Sequence, residues 1–173
     1  MKKLATLVIT MLLPLASATA SQIVAEFTDV DKYTDFSVNG LTEKKTTSIF
    51  QAELKPELER LAKKYLKEGQ VLTLNFTDID MAGDIQPWRN RYNADIRYVE
   101  DIYRPRLEFT YSLADAEGNI LDEGEADIVD LAFMMNTMGT FRAHHMSFFY
   151  EIDLLSNWMR KTARSQWSDK AGD

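Results

Sequence analysis

The stretch from Arg106 to Leu113 sets the tightest limit on how this chain can fold. Leu107, Phe109, Tyr111 and Leu113 alternate with Glu108, Thr110 and Ser112, the period of two that sends successive side chains to opposite faces of a strand. A strand with one apolar and one polar face belongs to a sheet covered on one side, which is the habit of antiparallel pairing. Asp115-Ala116-Glu117-Gly118-Asn119 reads as a hairpin loop, with Ile120 to Val129 returning as the partner strand.

Other segments fall into place around that hairpin. Ile23 to Thr28 reads as a first strand, followed by polar turns through Gly40. A helix is expected from about Thr46-Thr47-Ser48, whose hydroxyls can cap free N–H groups. Its apolar stripe is Phe50, Leu54, Leu58, Leu61 and Tyr65. Pro56 must kink this helix or start a second one, and Gly69 ends it. Val71 to Ile79 is a second strand with Leu72, Leu74 and Phe76 on one face. A polar loop from Ala82 to Asn93 leads to an ill-defined strand over Asp95 to Ile102. After a Met- and Phe-rich segment, a last helix is expected from about Ser147 to Ala163, striped by Phe148, Ile152, Leu155 and Met159, and the tail Ser165 to Asp173 is expected to fray. The fold class is α+β: a mainly antiparallel sheet of about four strands with helices packed on one face.

The first 20 residues follow the order that secretion requires. Lys2 and Lys3 precede a mostly apolar run, Leu4 to Leu15, and Ala18-Thr19-Ala20 fits a small-residue cleavage site before Ser21. Twelve residues are too few to span a bilayer core of about 30 Å as a helix. Residues 21–173 then form one globular domain. Loss of Lys2 and Lys3 leaves 18 basic residues against 27 acidic ones, a net charge of about −9. That balance speaks against nucleic acid and anionic membrane surfaces as partners. The chain has no cysteine, which excludes disulfides, thiol chemistry and Cys-ligated metal.

Several short motifs stand in a fixed order: Phe27-Thr28-Asp29 with Tyr33 and Asp35, Gly69-Gln70, Asp78-Ile79-Asp80-Met81-Ala82-Gly83, Pro87-Trp88, Ile96-Arg97, Pro105-Arg106, and Tyr150-Glu151 with Trp158. In these the chain resembles an uncharacterised family of exported bacterial proteins, a domain of unknown function, over roughly residues 27–158. The segment before Tyr150 is less acidic than in that family. The resemblance implies a small exported domain and no particular activity, cofactor or catalytic residue.

Two groups of residues are candidates for chemistry. Asp78 and Asp80 lie two apart on a strand and so share a face, by this reading the face of Leu72, Leu74 and Phe76. Paired carboxylates serve acid–base work or divalent-cation binding. The run D-I-D-M-A-G fails as a calcium loop, because Ala82 takes the fifth position and Arg89 the twelfth. The preferred reading has both carboxylates accepting bonds from backbone N–H groups or arginines. The second group is Trp88, Arg89, Arg91, Tyr92, Arg97, Arg104 and Arg106. Arginine forks bind carboxylate or phosphate and stack on aromatic rings, so a small anionic ligand is one reading and internal ion pairing the preferred one. The binding candidates are Asp78, Asp80, Trp88, Arg89, Arg104 and Arg106. Antiparallel neighbours would bring the end of one strand to the start of the next, so Arg106 or Arg104 is expected to bond Asp78 or Asp80.

The remaining features point elsewhere. His144 and His145, if extended, face opposite ways and cannot chelate one ion. No G-x-S-x-G context or phosphate-cradling glycine loop exists. Met134, Met135, Met138, Phe141, Met146, Phe148 and Phe149 form a soft apolar run that suits either the core or an adaptable binding patch. The leading reading is a non-enzymatic binding or accessory protein of the bacterial cell envelope, periplasmic and without cofactor or metal. Its partner would be an envelope protein or a small anionic ligand. The alternative is a carboxylate-dependent or metal-assisted hydrolase centred on Asp78 and Asp80, followed by a carrier of small anions. A test of the export reading is Edman sequencing of the stable product from the periplasm of a bacterial host. It is expected to start at Ser21, and an intact Met1 would refute the compartment assignment.

Overall fold

The computed structural model describes residues 20–89, 92, 94–135 and 146–167. Residues 1–19, which hold most of the expected export segment, lie outside these, as do Arg91, the pair His144 and His145, Met138, Phe141 and the end of the tail. The main sheet has four strands: β1 (Gln22–Phe27), β2 (Val71–Asp80), β5 (Arg106–Ala114) and β6 (Ile120–Val129). They stand in the order β1-β2-β5-β6. A small second sheet pairs β3 (Asp84–Ile85) with β4 (Arg97–Tyr98). Two long helices complete the fold, α1 (Glu43–Tyr65) and α2 (Phe149–Thr162).

The β5–β6 hairpin forms as its alternation dictates. Leu107, Phe109 and Leu113 are buried, and the loop is closed by Asp115, whose carboxylate accepts N–H bonds from Glu117 and Asn119. Tyr111 lies opposite Gly124, where a Cβ would meet the tyrosine hydroxyl at 3.0 Å. β2 also pairs antiparallel with β5, but β1 runs parallel to β2. The sheet is therefore mixed, with one parallel edge: β1 and β2 are joined by the crossover helix α1, which parallel strands need.

Both helices cover the same face. Phe50, Leu54, Leu58 and Leu61 of α1, Phe148 just before α2, and Ile152, Leu155 and Met159 of α2 join Leu72, Leu74, Phe76, Ile79, Leu107 and Phe109 in one core. Its centre is aromatic: Phe50 meets Phe148 at 4.8 Å between ring centroids, and Phe109 meets Trp158 at the same distance. The other face, with Thr73, Asn75, Thr110, Ser112, Glu123 and Glu125, is polar and open.

Three local expectations are corrected. α1 begins at Glu43, one turn earlier than the hydroxyl cluster implied. Thr46 is consequently buried, while Thr47 and Ser48 bond back to the carbonyls of Glu43 and Lys44 rather than capping. Pro56 sits inside one continuous helix instead of starting another. Past α2, Ala163–Trp167 form a wide helical turn, and Trp167 is buried with its indole N–H donating to Asp122 at 2.8 Å. This part of the tail is packed rather than frayed.

The start of α2 depends on α1. The residue before it is Phe148, which offers no capping side chain. Glu53 of α1 supplies the acceptors instead, taking N–H bonds from Ser147 and Phe148 at 3.0 Å each. Carboxylate oxygens at a helix start satisfy orphan donors and oppose the positive end of the dipole. Glu53→Ala is expected to destabilise the fold by about 1–2 kcal/mol in urea unfolding, by analogy with lost N-caps. A change below the error of the fit would show that the contact is dispensable.

Candidate functional site

The end of β2 is where the charged residues collect, and a bulge decides which way they point. The β2–β5 register slips between Phe76 and Asp78, leaving Thr77 exposed as the extra residue. A bulge of one residue turns every later side chain to the other face. Ile79 thus takes the apolar face after Phe76, and Asp78 and Asp80 point away from the face of Leu72, Leu74 and Phe76. The expectation that these carboxylates share the buried face is wrong for this reason. Segment 33–35 stabilises the irregularity. The Tyr33 hydroxyl donates to the Phe76 carbonyl at 2.8 Å, and Thr34 donates to Asp78 from its N–H (2.6 Å) and its hydroxyl (2.7 Å). Asp35 then pairs with the end of β2, its N–H donating to the Ile79 carbonyl and its own carbonyl accepting from Met81.

Asp80 and Arg106 stand opposite each other across β2 and β5, as the antiparallel argument required. The expected ion pair does not form. The Arg106 guanidinium forks onto Asp127 with two bonds of 2.8 Å and reaches Glu108 at 2.7 Å. Asp127 lies diagonally across on β6 and offers two oxygens in the plane of the fork, the geometry arginine favours. All three groups are well exposed, so water screens each pair and it adds little to stability. Among the described residues Asp80 keeps no such partner. Burial first, then the neighbouring charges of Asp35 and Asp78, raise its carboxyl above the ordinary aspartate range, with Arg97 and Arg106 pulling the other way. Arg89 pairs with Glu100 at 2.9 Å and lies over the Tyr98 ring. Trp88 is exposed, as is Arg104, and the six candidates do not converge on one cleft.

What does converge is a set centred on Arg97. Its two terminal nitrogens fork onto Asp35 at 2.6 and 2.8 Å and also reach the carbonyls of Gly83 (2.9 Å) and Ser37 (3.1 Å). Its Nε is buried without a hydrogen-bond partner among the described residues. Gly83 sits at φ +82°, and a Cβ there would lie 2.5 Å from the Tyr98 carbonyl oxygen, so only glycine lets the strands approach this closely. Above this lies Glu151, wholly buried in the first turn of α2, with Oε1 accepting the Ala82 N–H at 2.7 Å. Arg97 and Glu151 line one cavity of about 290 Å³ with Val38, Asn39, Ile96, Met146 and Phe149. Burial pushes the Glu151 carboxyl up to about 7, against the opposing pull of the Ala82 N–H, its own N–H and Arg97. Among the described residues no group of three or more His, Cys, Asp or Glu side chains could hold a metal ion.

Asp35 and Glu151 are absent from the candidates drawn from spacing. For Glu151 a signal was present: it stands three residues after Phe148 and four before Leu155, on the apolar stripe of its helix. Asp35 carries no such sign, because only the tertiary fold brings it to Arg97. Asp35, Gly83, Arg97 and Glu151 all fall in the segments that carried the family resemblance.

The fold and the site define an α+β protein with a polar lock at one end of its sheet and a carboxyl-bearing cavity beside it. The chain belongs to the family described as "Protein of unknown function (DUF3016)", which matches residues 21–161. No curated protein and no solved structure matches it.

The raised Glu151 carboxyl has a pH consequence with a definite sign. The folded state holds this proton up to about pH 7, whereas the unfolded chain releases it near pH 4.3. Between those values the native state binds more protons, so this group's contribution falls as pH rises and its cost is complete above about pH 7. Glu151→Gln keeps an acceptor for Ala82 and is expected to gain stability relative to the parent as pH rises from 4.5 to 7.5. The gain is on the order of 3 kcal/mol at 1.36 kcal/mol per pKa unit. Parallel unfolding curves across that range would rule out the shift.

Proposed function

We propose that the chain is an exported, non-enzymatic binding or accessory protein of the bacterial cell envelope, docking an envelope partner through one apolar groove. Its export rests on the Lys2-Lys3, Leu4–Leu15 and Ala18–Ala20 pattern. Among the described residues, no helix is long and apolar enough to cross a membrane.

The observation that carries the binding reading is an open groove of about 590 Å³ lined by Val99, Ile102, Leu131, Phe133, Met134 and Met135. Leu131 is 71% exposed and Met135 82%. Contiguous apolar side chains left in water mark a contact surface, and methionine adapts its shape to a partner. Glu100 and Asp101 line the same groove. The occupant that fits is therefore a protein segment presenting apolar side chains beside lysine or arginine.

The other readings have less behind them. A hydrolase at Asp78 and Asp80 draws on the raised Asp80 carboxyl, but both oxygens of Asp78 are engaged by Thr34. A small-anion carrier would have to displace carboxylates of this chain from Arg89, Arg97 and Arg106.

The test is site-specific photo-crosslinking in the periplasm. A benzophenone side chain at Met135 is expected to give a discrete adduct, lost on Ile102→Glu, while one at Thr110 on the polar sheet face gives none. Equal labelling from both positions, or none from Met135, would defeat the groove.

A further inference from the structure

Strand β1 is one of the two free edges of the main sheet. Its Gln22 N–H donates to the Gln70 carbonyl, and the Thr28 N–H just beyond it donates to the Phe76 carbonyl. The even-numbered residues therefore direct their backbone groups to β2, and Ile23, Ala25 and Phe27 turn theirs outward. Among the described residues nothing pairs with these outward groups. A free edge is a template for another strand unless charge, proline or a bulge blunts it. The other edge, β6, is blunted by Asp122, Glu123, Glu125 and Asp127, whereas β1 carries only Glu26. A groove of about 560 Å³ runs beside the open edge of β1. Residues 20–25 line it along the strand, and Leu54, Leu58 and Ala62 of α1 form its buried floor. Its rim is Gln51, Lys55, Glu59 and Lys63, all exposed on one side of α1.

We propose that this edge joins a second copy of the chain, β1 against β1, antiparallel about a two-fold axis through Val24. The pairing is self-complementary in both layers. In the sheet, Ile23 stands opposite Ala25 of the other copy, and the two exchange their outward N–H and C=O groups. Gln22 stands opposite Glu26, amide against carboxylate, and Val24 opposite Val24, so no like charges oppose each other. An axis through Ala25 would set Glu26 against Val24 instead. In the helix layer, Phe27 meets Phe50 at 5.7 Å between ring centroids, and the crossover helix runs back against the strand. From Phe50 to Glu57 the helix rises roughly 10 Å, at about 1.5 Å per residue. From Phe27 back to Val24 the strand covers the same roughly 10 Å, at about 3.3 Å per residue. The axis through Val24 thus passes level with Glu57, midway between Lys55 and Glu59. It sets Lys55 of each copy toward Glu59 of the other, and Gln51 toward Lys63. This match of charge about the axis that the strands require selects a second copy over an unrelated strand.

The chain has no cysteine, so one introduced thiol reports the register. Val24→Cys puts two sulfurs on the axis, where facing Cα atoms about 4.5 Å apart suit a disulfide. Glu26→Cys separates them by four strand positions, roughly 13 Å, which is out of reach. Under mild oxidation Val24→Cys is expected to run as a dimer on a non-reducing gel, and Glu26→Cys as a monomer. In analytical ultracentrifugation over a dilution series, the parent protein is expected to show a monomer–dimer equilibrium. Lys55→Glu, at an exposed position that folding does not need, should weaken the dimer at least about tenfold, and adding Glu59→Lys should restore it. Ile102→Glu, in the separate groove of Val99 and Met135, should leave the dimer unchanged, so the two surfaces fail separately. Equal cross-linking from both cysteines, or a Lys55→Glu loss that Glu59→Lys does not restore, would overturn the pairing. A monomer at every concentration would also overturn it and leave the edge to a strand of another protein.

Discussion

The Arg97 guanidinium holds the upper end of this molecule together. One planar group meets the Asp35 carboxylate and the carbonyls of Gly83 and Ser37. These acceptors belong to two pieces of chain, the segment after β1 and the turn after β2, and the arginine ties both to the strand β4 that carries it. An arginine this deeply placed would be costly without its partners, because a buried charge is tolerated only when paired and hydrogen-bonded. The two-stranded β3–β4 sheet is too short to be stable by itself. It is held by this fork and by the close approach at Gly83, where any side chain would strike the Tyr98 carbonyl.

The bulge in β2 is the second constraint, and it works with the first. By adding Thr77, it lets a single strand serve two environments. Leu72, Leu74 and Phe76 enter the core under the helices, and beyond the slip Asp78 and Asp80 leave it. The backbone left irregular at that point is satisfied by Tyr33 and Thr34 from the segment leading to Asp35. The short stretch after β1 that ends in Tyr33, Thr34 and Asp35 thus repairs the strand and supplies the carboxylate for Arg97. The same economy appears at the helices, where Glu53 of α1 caps α2 and Glu151 of α2 receives the Ala82 N–H beyond β2.

Much of the fold could be read directly from the chain. Alternation in Arg106–Ala114 and Ile120–Val129 defined the hairpin, and the stripes of Phe50, Leu54 and Leu58 and of Phe148, Ile152 and Leu155 defined the two helices. The direction of β1 was not readable, since a strand's own residues carry no record of which way its neighbour runs. The charged candidates were half legible. Their positions along the strands were right, and Asp80 does stand across from Arg106, but the ion pairs formed with other partners. Aspartate is interchangeable with aspartate at the level of sequence, and the choice of Asp127 over Asp80 depends on a diagonal across a third strand.

The sequence by itself determined the period of each element, the apolar faces and hence the α+β class, because side-chain periodicity follows from local backbone geometry alone. It also carried the acidic balance and the export pattern. Only the tertiary structure decided which face Asp78 and Asp80 occupy, that Arg97 rather than Arg106 anchors a buried pair, and that Glu151 closes a cavity. Each of those depends on contacts between residues distant in the chain, from the pairing of Asp78 with Glu108 to the bond of Ala82 with Glu151, where a shift of one residue in register reverses the outcome.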